Sequence, residues 1–174
     1  MPDFVFYLLL VTIPTAAVIV MAYILFKNLF EKDKRNFQLE MKKEREKHFL
    51  PLRVEAYQRF VLLMERISPN NLVMRKHNPG MPAKAQQQLF LEEIRKEFDH
   101  NIAQQIFISA ECWKSVKDAK EETIKIFNIA GSNLPLTATG MEYAQKIFEV
   151  TAEVGTLPTE IAVDNLKKEM QRLF

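Results

Sequence analysis

Three histidines (His48, His77 and His100), one cysteine (Cys112) and a spread of acidic side chains are the residues of this 174-residue chain that could bind a metal, move a proton or attack a substrate. No two histidines share a helix face at metal-ligand spacing, and none neighbours the cysteine, so no zinc pattern is present. Glu97 and His100 stand i, i+3, as in di-iron carboxylate bundles. Such sites need a second Glu-x-x-His and further glutamates on facing helices, and the chain has no second one. Nor does it contain G-x-x-x-x-G-K-[ST], G-x-G-x-x-G or G-x-S-x-G. Its four glycines, Gly80, Gly131, Gly140 and Gly155, fall at apparent breaks. Cys112 precedes Trp113 and reads as a small packed residue, since a reactive thiol needs a base or cation beside it. Glu92-Glu93 and Glu121-Glu122 read as solvated helix faces. No catalytic residue, metal or cofactor is therefore expected. An enzyme with an unfamiliar site would need Glu55, Arg59, Glu65, Arg66, Arg75 and His100 to converge in one pocket with strongly shifted pKa values.

The elements that would position these residues begin with an uncharged apolar run. Phe4–Phe26 holds 20 hydrophobic residues in 23 positions, against 48% for the whole chain. As a helix it would rise roughly 34 Å, enough for a hydrocarbon layer of about 30 Å. The leader has no Lys or Arg, and bulky residues follow Ala22, so an uncleaved anchor over 1–26 is expected rather than a signal peptide. The basic residues lie on its C-terminal side, from Lys27 to Arg45. They predict a single-pass protein of the bacterial inner membrane, N-terminus outside and C-terminal domain cytoplasmic.

Residues 27–50 predict a charged helical stalk without Gly or Pro, ending at a break before Pro51. Phe26, Phe30, Phe37 and Met41 fall on one stripe of it. The stripe is a candidate seam for a second copy or a lipid surface, although Asp33 interrupts a heptad reading. The net charge of +2 sits in residues 1–47. The remainder is neutral, which gives no electrostatic case for nucleic acid.

Residues 51–174 predict an all-α body of about five helices. The first carries Tyr57, Phe60, Val61, Met64 and Ile67 on one face and stops at Ser68-Pro69. A turn-rich stretch, Ser68–Pro82, contains Asn78-Pro79-Gly80 and the exposed-looking trio Arg75-Lys76-His77, which with Phe30, Phe37 and Met41 makes up the candidate interaction residues. The second helix runs from about Pro82 to His100 with Leu91, Ile94, Phe98 and Ile102 inward. Ile106-Phe107-Ile108 predicts an extended connector. Ser109 caps a third helix carrying Trp113, Val116, Thr123, Phe127 and Ala130, which Gly131 ends in the left-handed conformation. Thr139 and Glu142 form a capping box for a fourth, burying Met141, Ala144, Phe148 and Thr151. A fifth, from about Thr159, presents Ala162, Leu166, Met170 and Leu173.

The segments LPLRVEAYQRFVLLMERISPNNLVMR, HNPGM, HNIAQQIFIS and WKSVKDAKEETIK resemble a family of small single-pass membrane proteins of Bacteroidetes that carries a domain of unknown function. The resemblance implies a bacterial inner-membrane setting and brings no catalytic residue, cofactor or partner. Together these features predict a membrane-tethered helical interaction module, a scaffold, adaptor or accessory subunit. Its expected partners are the bilayer and another membrane protein or itself, with no small-molecule substrate evident. The alternatives are a self-associating membrane organiser acting through the stalk, or a membrane-anchored enzyme with an unrecognised site.

Overall fold

The computed structural model describes residues 2–132 and 134–172, with side chains at 2–14 and at 17 outside the description. Among the described residues the chain is all-α: α1 (Pro2–Ile67), α2 (Pro69–Lys76), α3 (Ala83–Asn101), a 3-10 turn (Ile102–Phe107), α4 (Ala110–Ser132), α5 (Gly140–Val154) and α6 (Pro158–Gln171). The chain divides into two compact units, Met1–Phe49 and Leu50–Phe174.

In the second unit, α4 is the central element and packs against α3, α5 and α6. Its inward residues follow the helical period, with Val116, Thr123, Phe127 and Ala130 buried and Trp113 half-buried. From α1, Tyr57, Phe60, Met64 and Ile67 enter the same core. Aromatic rings tie the layers together. Trp113 lies 5.7 Å from Phe60 and 5.3 Å from Phe98, ring centre to ring centre, and Phe90 lies 5.4 Å from Phe127. Tilted and offset pairs of this kind add about 0.5–1.5 kcal/mol each beyond the area they bury.

Local signals place several boundaries. Ser109 caps α4, its hydroxyl accepting from the Cys112 N–H at 3.1 Å. At α5, Thr139 Oγ1 accepts from the Glu142 N–H at 3.3 Å while Glu142 Oε2 accepts from the Thr139 N–H at 2.7 Å, which completes the capping box. Gly155, at φ 74°, closes α5 in a conformation that a side chain disfavours.

The structure corrects other expectations. Among the described residues no helix is long and apolar enough to cross a membrane. The anchor over 1–26, the single-pass topology and the inner-membrane location with a cytoplasmic domain are corrected accordingly. Much of the expected span, the side chains at 4–14 and 17, lies outside the described residues. Lys27 then opens the charged segment.

Pro51 does not begin a helix but lies inside α1. It is exposed there, so water can serve the carbonyl that its missing N–H leaves free. The stretch after Ile67 is not all turn. Pro69 starts α2, because a proline in the first helical position gives up a donor that has no partner anyway. Leu72 and Val73 then bury that short helix. Ile106-Phe107-Ile108 is not an extended run: its first two residues close the 3-10 turn.

Gly131 lies within α4, with no left-handed geometry. A Cβ there would come within 2.7 Å of the terminal amide of Gln87 on α3, the end of a flexible side chain. On α5 the buried face is Tyr143, Ala144, Ile147, Val150 and Thr151, while Met141 and Phe148 are exposed. The Tyr143 hydroxyl explains the choice: it donates to Phe127 O at 2.9 Å inside the core. On α3, Phe90 is buried and Leu91 half-buried, while Ile102 falls in the 3-10 turn beyond it and is exposed. On α6, Ala162 and Leu166 are buried and Met170 half-buried, and Leu173 lies outside the described residues.

Candidate functional site

The six polar residues that an unfamiliar enzyme would need do not converge. Glu55 and Arg59 pair with each other one turn apart at 2.9 Å on the surface of α1. Glu65 accepts from Asn71 Nδ2 at 3.2 Å. It lines a polar cleft of about 290 Å³ with Asn70, Glu160, Asp164 and Lys167, among others, which contains none of the other five. Arg66 and Arg75 both reach Glu97 Oε1, at 3.2 and 3.4 Å. Glu97 is thereby engaged, and His100 stands exposed one turn further on. Lys76 pairs with Glu93 at 3.2 Å. Neither ring nitrogen of His77 has a protein partner, although both are buried. Among the described residues no three His, Cys, Asp or Glu side chains are grouped to hold a metal ion.

Titratable groups converge elsewhere, around Glu169 on α6. Tyr57 of α1 donates its hydroxyl to Glu169 Oε1 at 2.5 Å. The Ser109 N–H donates to the same oxygen at 2.9 Å, and the Ser109 hydroxyl donates to Oε2. The Cys112 thiol lies 3.5 Å from Asn165 O and is also within hydrogen-bonding reach of Glu169. Arg53 stands beside the phenol and holds Phe107 O at 3.2 Å. A cavity of about 210 Å³ opens at this point, lined by Glu111, Cys112, Asn165, Lys168, Glu169 and Arg172.

The electrostatics decide what this cluster can do. Burial raises the Glu169 carboxyl, but the donors from Cys112, Ser109 and Tyr57 outweigh it and hold the group down at about 2. Burial, and then the Glu169 carboxylate, push the Tyr57 phenol up to about 12. The same two causes push the Cys112 thiol up to about 12. At neutral pH the carboxylate is ionised and both donors keep their protons. A general base or nucleophile works best with a pKa near the operating pH, and all three groups are driven away from it. The cluster is a latch that joins α1, α4 and α6. Ser109 was legible as a helix cap. Its second role, and the participation of Tyr57 and Glu169, had no local signal, because the partners lie 60 and 112 residues apart.

In the first unit, Phe30, Phe37 and Met41 are exposed by 71, 64 and 48%, and Phe26 by 61%. The helix beneath them is laced by contacts one turn apart. Glu44 pairs with His48 at 3.2 Å, Lys42 with Glu46 at 3.8 Å, and Arg45 Nε donates to Met41 O at 3.4 Å. Pairs of this kind support a helix by a few tenths of a kcal/mol each.

A model of a family of unknown function, DUF7935, matches residues 3–173. Comparison with curated proteins and with solved structures finds no match.

Proposed function

We propose that this chain, which belongs to the family of unknown function DUF7935, works as a non-catalytic helical interaction module, a scaffold or adaptor. The observation that carries the reading is the row Phe26, Phe30, Phe37 and Met41, four large apolar side chains left in water on one helix. Fully burying such a side chain is worth about 1.5–3 kcal/mol, so a partner that covers the row gains several of these increments at once. The body supports the same reading, because the convergence of strongly shifted groups around Glu169 is locked in protonation states unsuited to proton transfer at neutral pH. The resemblance to proteins of Bacteroidetes stays part of this proposal as its expected source.

The test is chemical cross-linking at native expression level, with wild type compared with Phe30→Glu/Phe37→Glu. A discrete cross-linked species in the wild type, lost in the variant while the body melts at the same temperature, is the expected result. An identical species in both, or none in the wild type, would overturn the reading.

A further inference from the structure

The rim of the stalk stripe identifies its partner, and the inference rests on the interaction reading above. At about 100° per residue, Phe26, Phe37, Phe30 and Met41 fall within roughly 60° of arc. Their spacing is eleven residues, Phe26 to Phe37 and Phe30 to Met41. Eleven residues make three turns of about 3.67, slightly above the natural 3.6, so the stripe drifts only about 20° per repeat, in the sense of a gentle right-handed wrap. Asp33, which interrupts a heptad seam, lies beside this stripe instead of in it.

The two edges carry opposite charge. On one side, within about 70° of the stripe's centre, stand Asp33 and Glu40, with Glu44 on the same side at the angle of Phe26. On the other, within a similar angle, stand Lys27, Lys34 and Arg45. All six residues are exposed. Glu44 has only His48 as its neighbour at 3.2 Å, and Arg45 spends only its Nε on Met41 O, so the charges remain available to a partner.

When two identical helices lie face to face in parallel, a two-fold axis along them brings the left edge of one against the right edge of the other. An acidic edge then meets a basic edge twice. When they lie antiparallel, each edge meets its own copy, acid against acid and base against base. We infer that the stalk pairs with the stalk of a second copy of this chain, in parallel, through Phe26, Phe30, Phe37 and Met41. Glu40 stands on the acidic edge and Arg45 on the basic edge, so the parallel pair brings Glu40 of one copy to the side that carries Arg45 of the other.

The experiment uses the full chain and reads its mass by light scattering, with the dissociation constant from a dilution series. The expected wild-type mass is that of two chains, and Phe37→Glu yields one chain with an unchanged body melt. Glu40→Arg sets Arg against Arg in both symmetric contacts and weakens the dimer by roughly three- to tenfold. Glu40→Arg/Arg45→Glu restores it. In an antiparallel pair Glu40→Arg would remove an acid–acid clash and tighten the dimer, so the direction of that change decides the orientation. Tightening, a wild-type mass other than two chains, or a dimer indifferent to Phe37→Glu would overturn the inference. A monomeric wild type whose cross-linked species contains a different protein would overturn this inference alone and leave the interaction reading standing.

Discussion

Replacing Glu169 with Gln keeps the shape of the side chain and removes the charge at the centre of the latch. In the native body the carboxylate accepts from the Tyr57 hydroxyl, the Ser109 N–H and the Ser109 hydroxyl, with the Cys112 thiol in reach. Moving a carboxyl from its ordinary 4.5 down to about 2 corresponds to about 3 kcal/mol of preference for the ionised form. Glu169 is only half-buried, and solvent screening brings the effective contribution to about 2 kcal/mol. The amide also brings two donors into a ring of donors. Glu169→Gln is therefore expected to destabilise the body by about 2 kcal/mol at pH 7, a fall in Tm of roughly 4–8 °C. Because the folded pKa is depressed, the contribution is complete above about 4.5 and is lost as pH falls through about 2. Urea titrations of both proteins at pH 7, 4 and 2 test this. The gap should be widest at pH 7 and should close towards pH 2. A cost under about 0.5 kcal/mol at pH 7, or a gap that persists unchanged at pH 2, would refute the latch.

Three further outcomes follow from the same packing. Gly140→Ala places a Cβ 2.8 Å from Met81 O and 2.9 Å from Asn78 O, both backbone atoms. It should cost roughly 2 kcal/mol in the same titration. Thr123→Val removes a fully buried hydroxyl that has no partner, and should raise stability by about 1 kcal/mol. Cys112, with its thiol pushed up to about 12, holds roughly a thousandfold less thiolate near pH 8 than an ordinary cysteine. A thiol reagent should label the native chain only as fast as it unfolds, and immediate labelling would show that the thiol is not enclosed.

Legibility from sequence follows the range of each interaction. Thr139 with Glu142, and Ser109 ahead of α4, are solved within one turn, and the residues themselves state the answer. The face of α1 that enters the core is equally plain, since Tyr57, Phe60, Met64 and Ile67 offer one apolar face. On α5 two apolar stripes compete, and the long-range packing that buries Tyr143, Ile147 and Val150, with the bond from Tyr143 to Phe127 O, leaves Met141 and Phe148 outside. Pro69 and Gly131 carry the signature of breaks, yet one opens α2 and the other lies within α4. Whether such a residue ends a helix depends on its neighbours in space. The latch lay beyond reach for that reason: Glu169 among Lys167, Lys168 and Met170 looks like any solvated glutamate until α1 and α4 close over it.

A second copy of the chain covers the stalk stripe as its docking face. The mass of the full chain by light scattering, wild type beside Phe37→Glu, tests it most directly. Two chains for the wild type and one for the variant, with the same melting temperature for the body, is the expected result. A wild-type mass of one chain across the whole concentration series would contradict it.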